Sequence, residues 1–349
     1  MNIGLYSPYF DTLGGGERYV LTLASHWSAR HTVHIFWNDD SILKSAQERF
    51  NIDLSKIKVV RNIFRNTSVF KKLYITRQYD LIFVLSDGSI PSTIAKYNIL
   101  HFQVPFAKIP HSAIKFLRYQ AVICNSNFTK NALDWRAGFH SQVIYPPVAP
   151  VSCAGGKKKN IILSVGRFTH YHTAKKQHVL IDAFRVGLKR GKWDGWRLIL
   201  AGGLMPDDQE YISRLREMAK GIPVTIEANI SLGKLADYYR DTRIYWHAAG
   251  YGERDARFME HFGISTVEAM SAGAVPIVFH GGGQTEIIDQ NENGFLWNCP
   301  EDLIEKTSLV MTDQRLASVM QQKAMEKSKQ FSVSRFRDAF DEVLSKMTL

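Results

Sequence analysis

Residues 161–201, IILSVGRFTHYHTAKKQHVLIDAFRVGLKRGKWDGWRLILA, are the stretch that decides the fold. The apolar run from Ile161 to Val165 predicts a buried strand, the spacing from Lys176 to Lys189 predicts a helix, and the run from Arg197 to Ala201 predicts a second strand. A strand, a helix and a strand in this order form a βαβ unit, whose strands lie parallel in one sheet. The fold is therefore expected to be of the α/β class.

The same alternation continues on both sides of this stretch. Upstream it predicts strands at Ile3 to Tyr6, Val33 to Trp37, Leu81 to Leu85 and Ala121 to Cys124, with helices at Glu17 to Arg30 and Asn127 to Ala137. Downstream it predicts strands at Val224 to Ile226, Ile244 to His247 and Val275 to Phe279, with helices at Asp208 to Lys220, Leu232 to Arg240, Thr266 to Ala272, Glu301 to Met311, Arg315 to Gln330 and Val333 to Met347. Two parallel sheets covered by helices follow from this pattern.

An irregular stretch from Tyr145 to Lys159 separates the two sheets. Its prolines, its glycines and its run of lysines interrupt helix and strand patterns, as a linker does. A length of 349 residues also suits two domains better than one. We predict two doubly wound Rossmann-like domains at residues 1–150 and 151–330, and a C-terminal helix at 331–349 that packs back on the first domain.

The cysteines and the start of the chain bear on where the protein is made. Cys124, Cys153 and Cys299 lack the paired spacing of a zinc or redox site, so we expect free thiols in a reducing compartment. Met1 to Tyr9 predicts a strand rather than an export signal, and no run of about 18 apolar residues would span a membrane. These features predict a cytoplasmic protein.

Positive charge is concentrated in the first half of the chain. The formal net charge is +11, and residues 1–150 hold 17 Lys and Arg against 9 Asp and Glu. A nucleic acid, an anionic membrane or an acidic ligand would each suit this excess. Nucleic acid is the least favoured partner, because the sequence contains no recognised module for it and no aromatic-basic stacking motif.

Basic and large apolar residues alternate in two segments of that half, which suits the headgroup layer of an anionic membrane. We expect peripheral docking on the inner face of the membrane; the alternative is that the cations are solvated and the apolar residues belong to the core. The first segment holds Arg61, Arg65, Lys71, Lys72 and Arg77 with Phe64, Phe70, Leu73 and Tyr74, and the second holds Lys108, Lys115 and Arg118 with Phe106, Ile109, Ile114, Phe116 and Leu117.

Glycines and cations follow the first strand of each predicted sheet. Gly14-Gly15-Gly16 opens the first helix, where it forms either an approach to an anion or a plain tight turn. Arg167 lies just beyond the strand that ends at Val165, at the edge where α/β proteins bind ligands. Lys175 and Lys176 begin the next helix, where cations are unfavourable unless an anion such as a diphosphate binds. For Lys176 an ordinary surface lysine is the favoured interpretation.

The stretch from His247 to Gly273 holds two glutamates that need separate roles. Glu260 and Glu268 would be about 12 Å apart along a helix axis, too far for the carboxylate pair of a retaining glycosidase. Ser265-Thr-Val-Glu268 has the pattern of a capping box, so Glu268 also has a structural interpretation. Phe262-Gly263-Ile264 precedes that helix and would offer backbone amides to a hydroxyl or a phosphate.

Together these motifs resemble the signature of the family-4 retaining glycosyltransferases. The resemblance rests on Glu260-x7-Glu268, Ala269-Met270-x-Ala272-Gly273-x-x-Pro276, Gly282-Gly283-x-x-Glu286, Gly15-Gly16-Glu17, Cys124-Asn-Ser126, Tyr145-Pro-Pro-Val148, Gly166-Arg167, Lys175 and Ala183-Phe184. These matches run through nearly the whole chain in the family's order. The resemblance implies the GT-B fold, with two Rossmann-like domains facing across a cleft, a hinge near Pro147, an acceptor on the first domain and a nucleotide diphosphate sugar on the second.

The resemblance also implies roles for single residues. Glu268 would hold the donor ribose, Arg167 and Lys175 would neutralise the diphosphate, and Glu260 would grip the transferred sugar. His101 is similar to the family's active-site histidine, with a buried structural histidine as the alternative. The implied catalytic residues are Glu260, His101, Arg167 and Lys175, and the implied donor-binding residues are Gly15, Gly16, Arg167, Lys175, Glu260, Phe262, Gly263, Ile264 and Glu268.

Two segments depart from the family pattern. The loop from Phe168 to Ala174 is long and lacks the usual Pro-Glu, so Lys176 remains an alternative to Lys175, and the charged insert from Gly252 to Met259 is unusual. His247-Ala-Ala-Gly and Met259-Glu-His-Phe-Gly-Ile are similar to the mannosyltransferases that extend dolichol-linked oligosaccharides, which suggests GDP-mannose. A UDP-sugar stays open, because relatives in this family use different donors.

The sequence therefore predicts retaining transfer of a hexosyl unit from a GDP- or UDP-sugar to a glycan or a lipid-linked acceptor. The cations beside a helix N-terminus would stabilise the leaving diphosphate, so neither a metal nor another cofactor is expected. No ligand cluster for a metal is visible, since Asp39-Asp40 and Asp207-Asp208 fit a loop and a helix start. A sugar-nucleotide epimerase on the same fold is the alternative.

Overall fold

The computed structural model describes residues 1–109, 113–152, 158–170, 175–191 and 193–348, without the side chains of Ala113 and Ile114. The chain divides into two compact units, the first joining Met1–Pro147 to Val333–Leu349 and the second comprising Val148–Ser332. Cys124 is a buried free thiol and Cys299 an exposed one. Some sequence predictions fall on Cys153, on the side chain of Ile114 and on the loop residues 171–174, which lie outside what is described.

The first unit contains a parallel sheet with the strand order β3-β2-β1-β4-β5-β6-β7. Its strands are β1 (Asn2–Tyr6), β2 (Thr32–Phe36), β3 (Lys58–Val60), β4 (Leu81–Ser86), β5 (Tyr97–Phe102), β6 (Ala121–Cys124) and β7 (Ser141–Val143). Its helices up to that point are α1 (Gly15–Trp27), α2 (Ser41–Phe50), α3 (Val69–Thr76), α4 (Ala113–Phe116), α5 (Asn127–Ala132) and α6 (Trp135–Phe139). Every residue of β4 is buried, as expected of a parallel strand covered on both faces.

The second unit contains a parallel sheet with the strand order β10-β9-β8-β11-β12-β13. Its strands are β8 (Lys159–Val165), β9 (Arg197–Gly202), β10 (Val224–Ala228), β11 (Thr242–His247), β12 (Val275–Phe279) and β13 (Phe295–Trp297). Its helices are α7 (Gln177–Lys189), α8 (Gln209–Met218), α9 (Leu232–Asp241), α10 (Ile264–Ser271), α11 (Gln284–Ile287), α12 (Pro300–Thr312) and α13 (Gln314–Ser328).

Each sheet has a switch point, where the strand order reverses. In the first unit β1 and β4 are neighbours, and in the second β8 and β11 are neighbours. Connections from two such strands leave in opposite directions, which opens a crevice at their carboxyl ends. These two edges are therefore where ligands are expected to bind.

The last helix, α14 (Val333–Thr348), belongs to the first unit. The rings of Phe336 and Phe340 pack edge-on against Tyr19 of α1, with centroids 4.8 and 5.8 Å away. His26 Nε2 also lies 2.8 Å from a carboxylate oxygen of Asp341. The C-terminal segment thus completes the helical layer on one face of the first sheet.

Alternating side chains of the first sheet point to two separate cores. Leu81, Phe83 and Leu85 of β4 join the core that lies under α1, α2 and α14. Ile82 and Val84 join the opposite core, against which residues of α3, α4 and α6 pack. This alternation is what a strand produces, because successive side chains point to opposite faces.

The predicted helix from Asn127 to Ala137 is wrong, because the structure has two helices there. Leu133 is extended and ends α5, and the Asp134 carboxylate accepts a bond from the Arg136 amide and so caps α6. Strands of three residues, namely β3, β7 and β13, gave no pattern long enough to predict. Among the described helices, none combines the length and the apolar character needed to cross a membrane.

Candidate functional site

The turn after β8 places Arg167 at the switch point of the second sheet. The stem of Lys175 packs over Gly166, since a Cβ on Gly166 would lie 2.6 Å from Cγ of Lys175 and would displace that side chain. The side-chain amide of Gln177 donates to the carbonyls of Gly166 and Arg167, at 3.3 and 3.1 Å, and fixes the turn. Arg167 itself is exposed, and the described part of the chain gives its guanidinium no ion-pair partner.

The two lysines before α7 have different carboxylate partners. Lys175 Nζ lies 2.6 Å from Oε2 of Glu260, and Lys176 Nζ lies 2.5 Å from Oε1 of Glu253. Lys176 is also the N-cap of α7 and has a left-handed backbone, with φ of 54°. Since the stem of Lys175 packs across Gly166, Lys175 is the lysine held beside Arg167.

Glu260 lies between a lysine and a histidine. Its Oε2 is 3.0 Å from Nε2 of His247, the last residue of β11, as well as 2.6 Å from Lys175 Nζ. The amide of Ala249 donates to Nδ1 of His247 at 3.4 Å, which leaves the proton of a neutral imidazole on Nε2, close to the carboxylate but without a well-aligned hydrogen bond to it. The His247 side chain is only 1% exposed, so this pair is nearly shielded from water.

The electrostatics of this group keep Glu260 ionised. Burial by itself would raise the pKa of Glu260, but the Lys175 ammonium and the His247 imidazole outweigh burial and hold that pKa well below its usual range. Burial lowers the pKa of His247, although Glu260 works against this. The arrangement is therefore a carboxylate paired with an ammonium and oriented by a neutral imidazole.

The glycine turn after β12 holds the backbone at Glu260. The amide of Gly283 donates to the Glu260 carbonyl at 2.7 Å. A Cβ on Gly282 would lie 2.1 Å from that carbonyl oxygen, and one on Gly283 would lie 2.4 Å from the carbonyl oxygen of His261. Only glycine therefore allows this close approach, and Gly282 also has a left-handed φ of 65°.

The capping box predicted at Ser265 is wrong. Helix α10 begins at Ile264 with Gly263 as its N-cap, so Ser265 is already inside the first turn. The Ser265 hydroxyl accepts instead from Tyr245 at 2.8 Å, and the Glu268 carboxylate accepts from the Tyr239 hydroxyl at 2.9 Å. Glu260 lies in the loop before α10, so the two glutamates do not share one helix.

The residues at the start of α10 pack inside the second unit. Phe262 is buried, and its ring packs edge-on against Phe331 at 5.2 Å. Gly263 has φ of 120°, and a Cβ there would lie 2.9 Å from the side chain of Gln284. Ile264 is half-buried as the first residue of the helix.

The Gly14–Gly16 turn of the first unit is closed by a carboxylate of its own. Glu17 is buried, and its Oε2 accepts from the Gly14 amide at 2.9 Å and from the Thr12 hydroxyl at 2.8 Å. Gly15 is the first residue of α1, and a Cβ on Gly16 would lie 3.3 Å from the side chain of Leu85. The turn is therefore a tight strand-to-helix connection with a filled N-cap.

His101 is fully buried within the first unit. Its ring stacks on Tyr19 at 4.0 Å, Nδ1 lies 3.2 Å from the Ile123 carbonyl, and Nε2 lies 3.0 Å from the side-chain amide of Gln103. Burial lowers the pKa of His101 to about 3, against the opposing bond to Ile123. The imidazole is thus neutral at ordinary pH, with both nitrogens engaged.

The structure gathers four predicted residues at the carboxyl edge of the second sheet, namely Arg167, Lys175, Glu260 and Gly263. Glu268 lies further along α10, while Gly15, Gly16 and His101 belong to the first unit. His247 and Gln177 were not predicted as site residues, although a histidine that ends a strand at this edge was a usable signal. No group of His, Cys, Asp and Glu able to hold a metal occurs among residues 1–109, 113–152, 158–170, 175–191 and 193–348.

Two family models match the chain. The model described as Glycosyltransferase Family 4 matches residues 13–151, and the model described as Glycosyl transferases group 1 matches residues 154–327. The two matches follow one another and together include every residue of the site described above. Because the matches extend over most of the chain, they establish the family to which it belongs.

Curated relatives share part of their length with this chain. The protein named "GDP-Man:Man(3)GlcNAc(2)-PP-Dol alpha-1,2-mannosyltransferase" from Dictyostelium discoideum is 25% identical over 276 residues, which are 73% of this chain and 52% of that protein. The Homo sapiens protein of the same name is 28% identical over 244 residues, which are 64% of this chain and 46% of that protein. The chain thus spans about half the length of the curated relatives it matches.

Solved structures resemble the fold along nearly the whole chain. A glycosyltransferase from Rickettsia africae has a TM-score of 0.76 at 19% identity, covering 99% of this chain and 98% of that one. Anabaena HepE, solved in complex with UDP, has a TM-score of 0.74 at 19% identity, covering 99% of this chain and 100% of that one. The fold class is therefore GT-B, as predicted.

Proposed function

The chain belongs to the family-4 glycosyltransferases, and from that premise we propose that it transfers a hexosyl unit from a nucleotide diphosphate sugar with retention of configuration. One observation supports this most. At the switch point of the second sheet, an exposed arginine, to which no described residue is ion-paired, lies beside a lysine, an ionised glutamate and a buried histidine. Such an edge is where α/β sheets bind nucleotides.

The cations of this edge suit a leaving diphosphate. Loss of the sugar leaves negative charge on the nucleotide, and preorganised cations stabilise that charge without a proton transfer. Arg167 is available to do so at once, whereas Lys175 is paired with Glu260. A diphosphate would compete for Lys175, and Glu260 would then turn its released oxygen to a hydroxyl of the sugar.

The positive charge opposite the diphosphate thus comes from protein groups. We propose that the reaction needs no metal ion and no other cofactor, because Arg167, Lys175 and the N-terminus of α10 supply that charge. Family membership favours transfer over the epimerase alternative. We propose that Glu268, in the second turn of α10, binds the donor ribose.

The donor we favour is GDP-mannose. The curated relatives carry that donor in their names, and the matched segment includes the site of the second unit. HepE has been solved with UDP, so UDP-glucose is the competing donor.

The acceptor we favour is lipid-linked, at an anionic membrane. The names of the relatives contain a dolichol-linked acceptor, and the basic first segment predicted from sequence is partly exposed. On α3, Phe70 and Tyr74 are exposed together with Lys71. Phe64 and Ile109 are buried, so for them the core interpretation is the correct one.

Donor choice is tested by thermal unfolding with GDP-mannose, UDP-glucose and an ADP-sugar. A ligand at 100 times its dissociation constant stabilises the folded protein by about 2.7 kcal/mol. We expect GDP-mannose to raise the midpoint most, with GMP and mannose 1-phosphate as controls that lack the diphosphate. Equal midpoints with all sugars would contradict the proposal. NMR of the first product then reports the anomeric configuration, and an inverted product would contradict retention.

A further inference from the structure

Three short helices cover one face of the first sheet. Ile75 of α3, Phe116 of α4 and Ala137 of α6 all pack against the same core. Helices α1, α2 and α14 cover the opposite face. The outward sides of α3, α4 and α6 therefore look away from the first sheet in one general direction, and we call the surface they form, with Leu117 just after α4, the α3–α4–α6 face.

The most exposed large apolar side chains described in the protein all lie on this face. Phe70 is 86% exposed, Phe139 80%, Leu117 79%, Trp135 75% and Tyr74 71%. The next most exposed, Met205 in the second unit, reaches 58%. Single exposed apolar residues are ordinary, but a group of this size marks an interaction surface.

Contacts between the helices join these residues into one surface. The ring of Phe116 lies 6.2 Å from that of His140, and the His140 ring lies 5.2 Å from Phe139, so α4 adjoins the end of α6. Arg118 donates to the Ala95 carbonyl at 3.3 Å, and the neighbouring Ile94 amide donates to Thr76 at the end of α3. The face therefore continues from α6 to α3.

The charge of the first half is also localised on this segment. Residues 61–140 contain eleven Lys and Arg but three Asp and Glu, whereas residues 1–60 contain six of each. One of the three acids, Asp134, is buried as the cap of α6. The exposed cations of the face include Lys71, Arg77, Lys115, Arg118 and Arg136.

We propose that the α3–α4–α6 face docks on an anionic membrane, with Trp135, Phe139 and Leu117 entering the headgroup layer beside the cations. The inference deepens the proposed function, since it rests on a lipid-linked acceptor and names the surface that meets the lipid. Tryptophan and tyrosine favour that layer because the ring is apolar and carries one polar group. A face with this many cations is complementary to anionic lipid and would repel a second copy of itself.

The fluorescence of Trp135 can report binding of the face to vesicles. Of the seven tryptophans, Trp135 alone is exposed, Trp37 is half-buried and the rest are buried. Vesicles of phosphatidylcholine with phosphatidylserine should shift its emission to the blue, and brominated lipid should quench it. Vesicles of phosphatidylcholine alone should do neither, and added salt should reverse the shift.

Variants separate the apolar and the charged contributions. Each cation near such a surface strengthens binding about fivefold, so Lys71→Glu/Lys72→Glu should weaken sedimentation with anionic vesicles by at least about 25-fold. Leu117→Ala/Phe139→Ala should weaken it about tenfold or more and keep Trp135 as the reporter. The matched control is Met205→Ala/Val319→Ala, which removes exposed apolar side chains of the second unit and should change nothing.

Two outcomes would overturn the proposal. One is an unshifted Trp135 emission and full recovery in the supernatant at low salt. The other is a concentration-dependent dimer that Phe139→Ala abolishes, which would assign the face to a second copy. Donor turnover with a soluble acceptor is measured in parallel, so failed docking with intact turnover removes the face and leaves the proposed function. Docking on vesicles without any donor binding would support the face and contradict the proposed function.

Discussion

The two units share a strand order and differ at their switch points. In both, the second and third strands lie on one side of the first strand and the remaining strands on the other. At the edge of the second sheet lie Arg167, Lys175, His247 and Glu260. At the edge of the first sheet, the carboxylate of Glu17 serves its own helix. The same topology thus carries a charged site in one unit and a filled turn in the other.

Two glutamates, Glu17 and Glu260, show what separates a structural carboxylate from one poised to act. The Glu17 carboxylate accepts from the Gly14 amide and from the hydroxyls of Thr12 and Ser7, all of which lie between β1 and α1. Glu260 is paired with an ammonium that a diphosphate can attract away. A carboxylate whose partner can leave for a ligand is therefore the better candidate for function.

The largest expected effect comes from Arg167→Ala. If the guanidinium stabilises the leaving diphosphate in the transition state, turnover should fall about 100-fold or more. The measurement is kcat with a defined acceptor at saturating donor. Arg216→Ala, at an exposed arginine on α8 of the same unit, is the control and should leave kcat unchanged. Wild-type turnover in Arg167→Ala would remove this residue from the mechanism.

Glu268→Gln should weaken donor binding by about 10- to 100-fold, since hydrogen bonds to a charged group contribute about 1.5–3 kcal/mol. The amide keeps an oxygen for the Tyr239 hydroxyl, so the fold should be retained. Calorimetric titration with GDP measures the effect. The matched control is Glu210→Gln, at an exposed glutamate of α8. A lower unfolding midpoint with unchanged GDP affinity would instead make Glu268 structural.

His247 is expected to act by positioning Glu260. His247→Phe removes the N–H close to the carboxylate and should lower kcat about tenfold while GDP affinity changes little. His247→Gln places an amide donor near the position of Nε2 and should recover most of that loss. Equal kcat values for the two variants would show that only the volume of the side chain matters at this position.

Continuous apolar runs were the most reliable signal of the fold, although β5, of six residues, was missed. The runs from Ala121 to Cys124 and from Val275 to Phe279 predicted β6 and β12 to the residue, because buried parallel strands are continuously apolar. The break at Leu133 was hidden, since Asp134 can occupy a helix as well as cap one. Helix α11 was missed because four residues show no helical period.

The sequence predicted the site only in part, because local motifs do not show contacts between distant segments. Arg167 was indicated by its place after a strand, Lys175 by its place at a helix start, and Glu260 by the family resemblance. Sequence spacing could not tell that the Gly283 amide holds the Glu260 carbonyl or that His247 lies next to the Glu260 carboxylate. Those contacts join separate strands and loops, and they depend on the register of β11 against β12. Ser265 was misassigned because Gly263, with its left-handed φ, begins the helix earlier than the capping pattern indicates.

The buried histidine of the first unit should make stability depend on pH. Because the pKa of His101 is lowered to about 3, the folded state keeps it neutral while the unfolded chain binds a proton below its ordinary pKa. Its contribution is therefore complete above about pH 6.5 and is lost as pH falls, by up to about 1.4 kcal/mol per pH unit. Urea unfolding at several pH values should show a shallower acid loss in His101→Gln. Identical slopes would contradict this account.

The smallest expected effect is that of a chelator. Arg167 and Lys175 place two positive charges at one edge of the second sheet, and the N-terminus of α10 adds its backbone dipole there. These groups are fixed by Gly166, Gln177 and Gly263, so they can face the diphosphate without a metal ion to bridge it. Excess EDTA should leave kcat and KM unchanged. Loss of turnover that manganese or magnesium restores would mean that Arg167 and Lys175 do not neutralise the diphosphate by themselves. The charged groups at the switch point of the second sheet would then not explain how this unit binds its donor.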